Sequence, residues 1–287
     1  MIKEIGKLHI TVGFNAFGSY LKDKYFTPPF KIANVGENRN DPACYLMTMS
    51  SSPGILDDDD LDIQINLEAG SRMMLLNQGY QRLFTMKKGA KQQMTINLQK
   101  NSELSYIQHP IVPQSQSIFH SKSTIHLEEN CIFTYGEIIT CGRKLCGEIF
   151  HFKRFQNLTE VFLNQKLILK DNILLQPDKI DINALGQVEG YTHQATLMYV
   201  NSRNLEANAE VELMHEAMSK EEDLAFGVSQ PLPQLVVLRV LGNGGEQLLD
   251  AFKKIEKSLW ELNKHINKVS PEKVQVKKME RETLLLK

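Results

Sequence analysis

The chain has 287 residues, enough to bury a large core as one domain or two smaller ones. Its 33 basic and 34 acidic residues nearly cancel, leaving −1, which argues against a nucleic-acid binder with a basic face. No apolar run approaches the roughly 18 residues of a membrane-spanning helix, and the charged start Met1-Ile-Lys-Glu is unlike a secretory leader. The four cysteines (Cys44, Cys131, Cys141, Cys146) form no CxxC pair, so reduced thiols in a cytoplasmic protein are the simplest reading.

In chain order, the acidic run Asp57-Asp58-Asp59-Asp60 comes first, after Ser51-Ser-Pro-Gly54. It reads either as a solvated turn or as an entry point for a hard cation attracted by clustered carboxylates. A repeat follows. Ile65-Asn-Leu67-Glu-Ala-Gly70-Ser71 aligns with Ile96-Asn-Leu98-Gln-Lys-Asn101-Ser102 and with Ile125-His-Leu127-Glu-Glu-Asn130-Cys131, at spacings of 31 and 29 residues. Leu167-Ile-Leu169-Lys-Asp-Asn172 reads as a degenerate fourth copy. Alternating apolar residues give each unit a strand with one buried face. Gly or Asn recurs where a tight hairpin turn needs positive φ. Stacked hairpin layers or a β-solenoid result, the alternative being separate hairpins in an ordinary sandwich. The fold class is therefore mainly β, with two α-helices near the C-terminus.

The first helix is expected over 205–222. Phe226-Gly-Val-Ser-Gln-Pro-Leu-Pro reads as a loop with two proline stops, and Gln234 to Leu241 as a buried strand closed by Gly242-Asn-Gly-Gly245. The second helix is expected over 246–268. Its stripe Leu248, Phe252, Ile255, Leu259 packs either on the chain's own core or on a partner helix. One domain spans 1–268, and a charged tail occupies 269–287.

No GxSxG, Walker-type loop, GxGxxG or HExxH is present, so no enzyme class is indicated. The histidines are scattered; His120 and His126 share one face of a strand. The segment Gly136-Glu137-Ile-Ile-Thr-Cys141-Gly142-Arg143-Lys-Leu-Cys146-Gly147-Glu148 sets two acids and an arginine in apolar β sequence. Charges there require partners. Gly136, Gly142, Arg143 and Gly147 read as a structural turn in which Arg143 ties the two glutamates, so that its loss would damage folding.

The pattern E-x-x-x-x-G-R-x-x-x-G-E across Glu137–Glu148 resembles the central motif of the urease accessory protein family UreD, called UreH in some organisms. Gly54-Ile-Leu-Asp-Asp-Asp59-Asp-Leu61 resembles its Gly-x-x-x-Gly-Asp-x-Leu segment, with Asp58 where Gly is expected. Leu76-Asn-Gln78-Gly79, Leu104 to Pro113 and Val237-Leu-Arg239-Val-Leu-Gly242 resemble further segments, so the likeness runs from about Leu8 to Trp260. The resemblance implies a helically wound, two-layer β protein that is not an enzyme. It implies binding to UreF directly, to UreG through UreF, and to urease, with no nucleic acid or membrane partner. It further implies transient passage of nickel and no permanent cofactor. Asp59, Glu137 and Glu148 are the candidate relay ligands, loosely spaced oxygens that release a divalent ion where a His/Cys cage would hold it. An enzyme with an unrecognised site and a metal-independent β scaffold are the competing readings.

Overall fold

The computed structural model describes residues 5–36, 41–203 and 207–266, with side chains through Asn263; the tail over 269–287 lies outside the described residues. Two sheets face one another. The chain enters through a hairpin, β1 (Gly6–Asn15) and β2 (Gly18–Phe26), in the first sheet. It continues into an antiparallel pair, β3 (Phe30–Asn34) and β4 (Cys44–Ser50), in the second. It then winds as a ribbon, each coil contributing one strand to each sheet. The coils are β5 (Asp60–Leu67) with β6 (Arg72–Asn77), β8 (Ala90–Leu98) with β9 (Glu103–Ile107), and β11 (Ile118–Leu127) with β12 (Ile132–Thr140). Short strands β7 (Gln81–Leu83) and β10 (Ile111–Pro113) edge the returns. Then come β13 (Arg154–Leu163), β14 (Lys166–Leu175) and β15 (His193–Asn201), α1 (Asn208–Met218), β16 (Ala225–Leu232), β17 (Leu235–Gly242) and α2 (Gly245–Ile266). The first sheet runs β14-β13-β11-β8-β5-β1-β2 and the second β16-β17-β15-β12-β9-β6-β4-β3.

Parallel register places like residues side by side. Ile10, Ile65, Ile96, Ile125 and Val161 form one lateral ladder across the first sheet, all fully buried. The recurrent turn residues hold the left-handed conformation, with φ of 77° at Gly70, 61° at Asn101 and 59° at Asn130. The Ser71 and Ser102 hydroxyls donate back to the carbonyls of Glu68 and Gln99, at 2.6 and 2.5 Å. Each turn also bonds the next: Gly70 N–H to Lys100 O, and Asn101 N–H to Glu129 O.

These turns are not hairpins. The strands before and after each lie in different sheets and pair with other coils, so the repeat is an arch between layers of a wound two-layer structure. A positive-φ residue serves either geometry, and hydrogen-bond partners decide between them. The degenerate fourth copy is also displaced. It falls in β14, which returns antiparallel to β13 through a turn at Asn164 and Gln165, with φ of 48° and 66°. The parallel neighbour of β11 is β13, whose apolar residues lack the turn signature. Phe226 to Leu232, expected as a loop, is edge strand β16; Pro231 is tolerated there beside a register shift between Ser229 and Leu232.

Helix α1 ends four residues before the expected 222 and α2 begins one residue before the expected 246; positions 205, 206, 267 and 268 of the expected spans lie outside the described residues. Both cover the outer face of the second sheet. Leu248, Phe252, Ile255 and Leu259 are fully buried against Ile107, Ile138, Leu197 and Leu238. The stripe read as a possible partner surface is therefore the chain's own core, each side chain contributing about 1.5–3 kcal/mol by leaving water. Strands β9, β12 and β15 are buried on both faces, so polar side chains within them, such as Glu103, Glu137 and Thr196, are buried as well.

Candidate functional site

The space between the sheets is not uniformly apolar. Two hydrophobic clusters, one around Ile10, Ile65, Phe133 and Met198 and one around Leu83, Phe119, Ile139 and Phe155, are divided by a row of polar side chains. In the first sheet Ser123, Thr159 and Asp171 stand in direct lateral register on β11, β13 and β14. In the second, Glu137, Thr196 and Arg239 do so on β12, β15 and β17. The two rows meet. Tyr135 Oη lies 3.4 Å from Ser123 Oγ and donates to Glu137 Oε1 at 3.0 Å. Thr159 Oγ1 donates to Glu137 Oε2 at 3.3 Å, and Arg239 Nη2 pairs with Asp171 Oδ1 at 2.9 Å.

The row ends in a cavity on each side. One, of about 530 Å³, is lined by Asp59, Asn77, Gln81, Gln92, Gln108 and His109 among others. It joins the row where Gln108 Nε2 donates to Tyr135 Oη at 2.6 Å. The other, of about 540 Å³, is lined by Asp171, Gln187, Gln194, Phe226 and Arg239 among others. Most buried side-chain atoms without a partner lie along this route: Asn77 Oδ1, His109 Nδ1, Asn157 Oδ1, Asp171 Oδ2 and Thr196 Oγ1. Unsatisfied buried polar atoms are costly, so their concentration in one row sets it apart from the rest of the interior.

Burial dominates the electrostatics. It holds the Glu137 carboxyl above the ordinary range, against hydrogen bonds from Asn157, Tyr135 and Thr159 that favour the charged form. It pushes the Tyr106 hydroxyl up to about 12 and the His109 ring down.

Asp59 lines the first cavity, and one of its oxygens accepts the Leu56 N–H at 2.7 Å. Its neighbours are not a bare solvated run: Asp57 caps the Lys88 and Gly89 N–H groups, Asp58 pairs with Lys88, and Asp60 pairs with Lys91. Asp58, standing where a glycine was expected, has φ of 70°, which accounts for that expectation. Glu137 sits inside the row, 5% exposed.

Glu148 does not join it. It forms a bidentate pair with Arg143 on an exposed loop, and that arginine holds its carboxyl below the ordinary range. Arg143 thus ties one glutamate rather than two, and at the surface, so the folding role expected for it through Glu137 is not what the structure contains. No strand begins at Glu148; a short 3₁₀ turn at Lys144–Cys146, closed by Gly147, precedes it. Gly142 has φ of 119°, and a Cβ there would lie 2.8 Å from Pro113 O. Gly136 lets α2 approach: a Cβ would lie 2.7 Å from Ile107 Cδ1 and 3.2 Å from Phe252. The cysteines are all unbridged, and His120 and His126 are exposed on one face of β11. Among the described residues no group of three or more His, Cys, Asp or Glu could hold a metal ion.

Sequence reasoning missed Asp171 and Arg239. Asp171 lay inside the supposed turn of the fourth copy, and the two meet across 68 residues of chain. A signal was present, since each is a charge in a strand otherwise rich in apolar residues.

The sequence profile described as UreD urease accessory protein matches residues 4–274. A urease accessory protein UreD from Flavobacterium johnsoniae is 55% identical over 263 residues, covering 92% of this chain and 95% of that one. UreD proteins from Acetivibrio thermocellus and Haemophilus influenzae strain PittGG are 32% and 34% identical. Both cover 88% of this chain, and 97% and 98% of their own lengths. With the match running from the first strands through α2, the chain belongs to the UreD family of urease accessory proteins.

Proposed function

We propose that this chain serves urease assembly by passing nickel, as transient cargo, along the polar row between its sheets. The observation that carries this reading is the row itself, a cross-sheet file of oxygen-bearing side chains linking two cavities through an otherwise apolar sandwich. Asp59 draws the ion into the first cavity. Gln92, Gln108 and Tyr135 present neutral oxygens, Glu137 supplies charge at the centre, and Asp171 receives the ion at the far side. Oxygen ligands in loose geometry bind nickel weakly and exchange it quickly, which suits passage rather than storage. Glu148, engaged by Arg143 on the loop, has no part in the route.

In this reading the chain works in the cytoplasm as a non-enzymatic scaffold. It docks UreF, gathers UreG through it, and delivers to apo-urease. The unbridged cysteines agree with a reducing compartment. Activation of purified apo-urease with nickel and the accessory proteins tests it. Glu137→Gln and Asp171→Asn are each expected to slow activation by about tenfold or more, with pull-down of UreF unchanged. Activation at the normal rate by both variants would overturn the route and favour a metal-independent scaffold.

A further inference from the structure

The far end of the row holds its own cation. Asp171 is only 8% exposed. Its Oδ1 is paired with Arg239 at 2.9 Å, while its Oδ2 is buried and has no hydrogen-bond partner among the described residues, and the residue lines the second cavity. Arg239 differs from its surroundings. It projects from β17 between Leu238 and Val240, both buried, yet its side chain is half exposed. It stands in register with Thr196 and Glu137, so its guanidinium is the one positive group this row carries in the described residues. Beside it in register Thr196 carries a further unpartnered buried oxygen, Oγ1.

We propose, resting on the route above, that Arg239 is a tethered counter-cation that gates the exit: it occupies Asp171 at rest and leaves when a divalent ion is handed over. The argument is one of charge. A buried carboxylate without a cation is costly, so Asp171 requires a positive partner at all times. A guanidinium and a divalent cation compete for it, because they repel across a few ångströms of low-dielectric interior. Exchange of one for the other keeps the site balanced throughout. The half-exposed side chain can swing into the second cavity without unpacking the core, which frees the Asp171 carboxylate, with the Thr196 hydroxyl beside it in register, for the ion. An arginine suits this better than a lysine, since it keeps its charge under all conditions and forms a directed pair that sets the resting position.

Titration of the purified full-length chain with nickel chloride, followed by calorimetry, tests the gate. Arg239→Gln is expected to bind nickel about tenfold more tightly than the natural chain, and adding Asp171→Asn to it is expected to reverse that gain. Arg239→Met, of similar length and without charge, serves as a second variant with the same expected gain. Nickel affinity that is unchanged or weaker in both single variants would overturn the proposal. The two readings fail separately. Unchanged affinity in the Arg239 variants with slow activation by Glu137→Gln removes the gate and keeps the route. Normal activation by the Glu137 and Asp171 variants removes the route itself.

Discussion

Among single residues, Glu256 carries a consequence that can be measured without any partner. It lies on α2, 5% exposed, and accepts the Ser105 hydroxyl at 2.5 Å. Burial raises its carboxyl from 4.5 to about 7, partly offset by that hydrogen bond and by Lys253. A raised folded-state value means the native state holds the proton more tightly than the unfolded chain. The associated stability is full below about pH 4.5 and is lost as pH climbs through about 7. Glu256→Gln should therefore flatten the fall in stability between those values, worth roughly 2–4 kcal/mol at its extreme. Glu137, shifted in the same direction by burial, leaves a residual slope. Denaturant melts of both proteins across that range are the check, and parallel curves would reject the assignment.

At the scale of elements, the arches are where sequence and structure touch most closely. Gly70, Asn101 and Asn130 were readable as positive-φ positions because only a few residue types tolerate that conformation. Asn101→Val and Asn130→Val should each cost about 1–2 kcal/mol, since a β-branched side chain meets its own carbonyl there. Asn101→Gly should be close to neutral. Chemical denaturation distinguishes these, and equal stability of all three would mean the turns relax. The amphipathic stripe of α2 was legible for the same reason, being a local period. What was not legible is everything decided by partners distant in sequence. Whether a turn closes a hairpin or an arch depends on strands thirty residues away, and Pro231 reads as a stop unless the strand is known to lie at an edge. Glu137 stood out as an acid in an apolar strand. Its separation from Arg143 could not be seen, because β12 sends alternate side chains to opposite faces and Arg143 lies beyond its end.

Across the whole molecule, the polar row divides one hydrophobic core into two. Buried polar networks of this kind contribute less to stability than apolar packing of the same volume. The combined variant Tyr135→Phe, Glu137→Met, Thr159→Val should join the two clusters, raise the melting temperature by several degrees, and abolish nickel delivery. Calorimetry with the urease activation assay tests both halves. A lower melting temperature would show that the row helps to hold the sheets together.

The parallel stacking of coils has a consequence for how such a molecule can change in length. The paired strand residues of one coil lie beside their counterparts in the next, so duplicating a whole coil would widen both sheets by one strand spacing, about 4.8 Å, and carry a new copy of each lateral position with it. Inserting a single residue into a strand would instead turn all later side chains in that strand to the wrong face. The distance between the two mouths is thus a ruler with fixed graduations. Variation can lengthen or shorten it one coil at a time, and every permitted length keeps the inward-facing order of its lining intact.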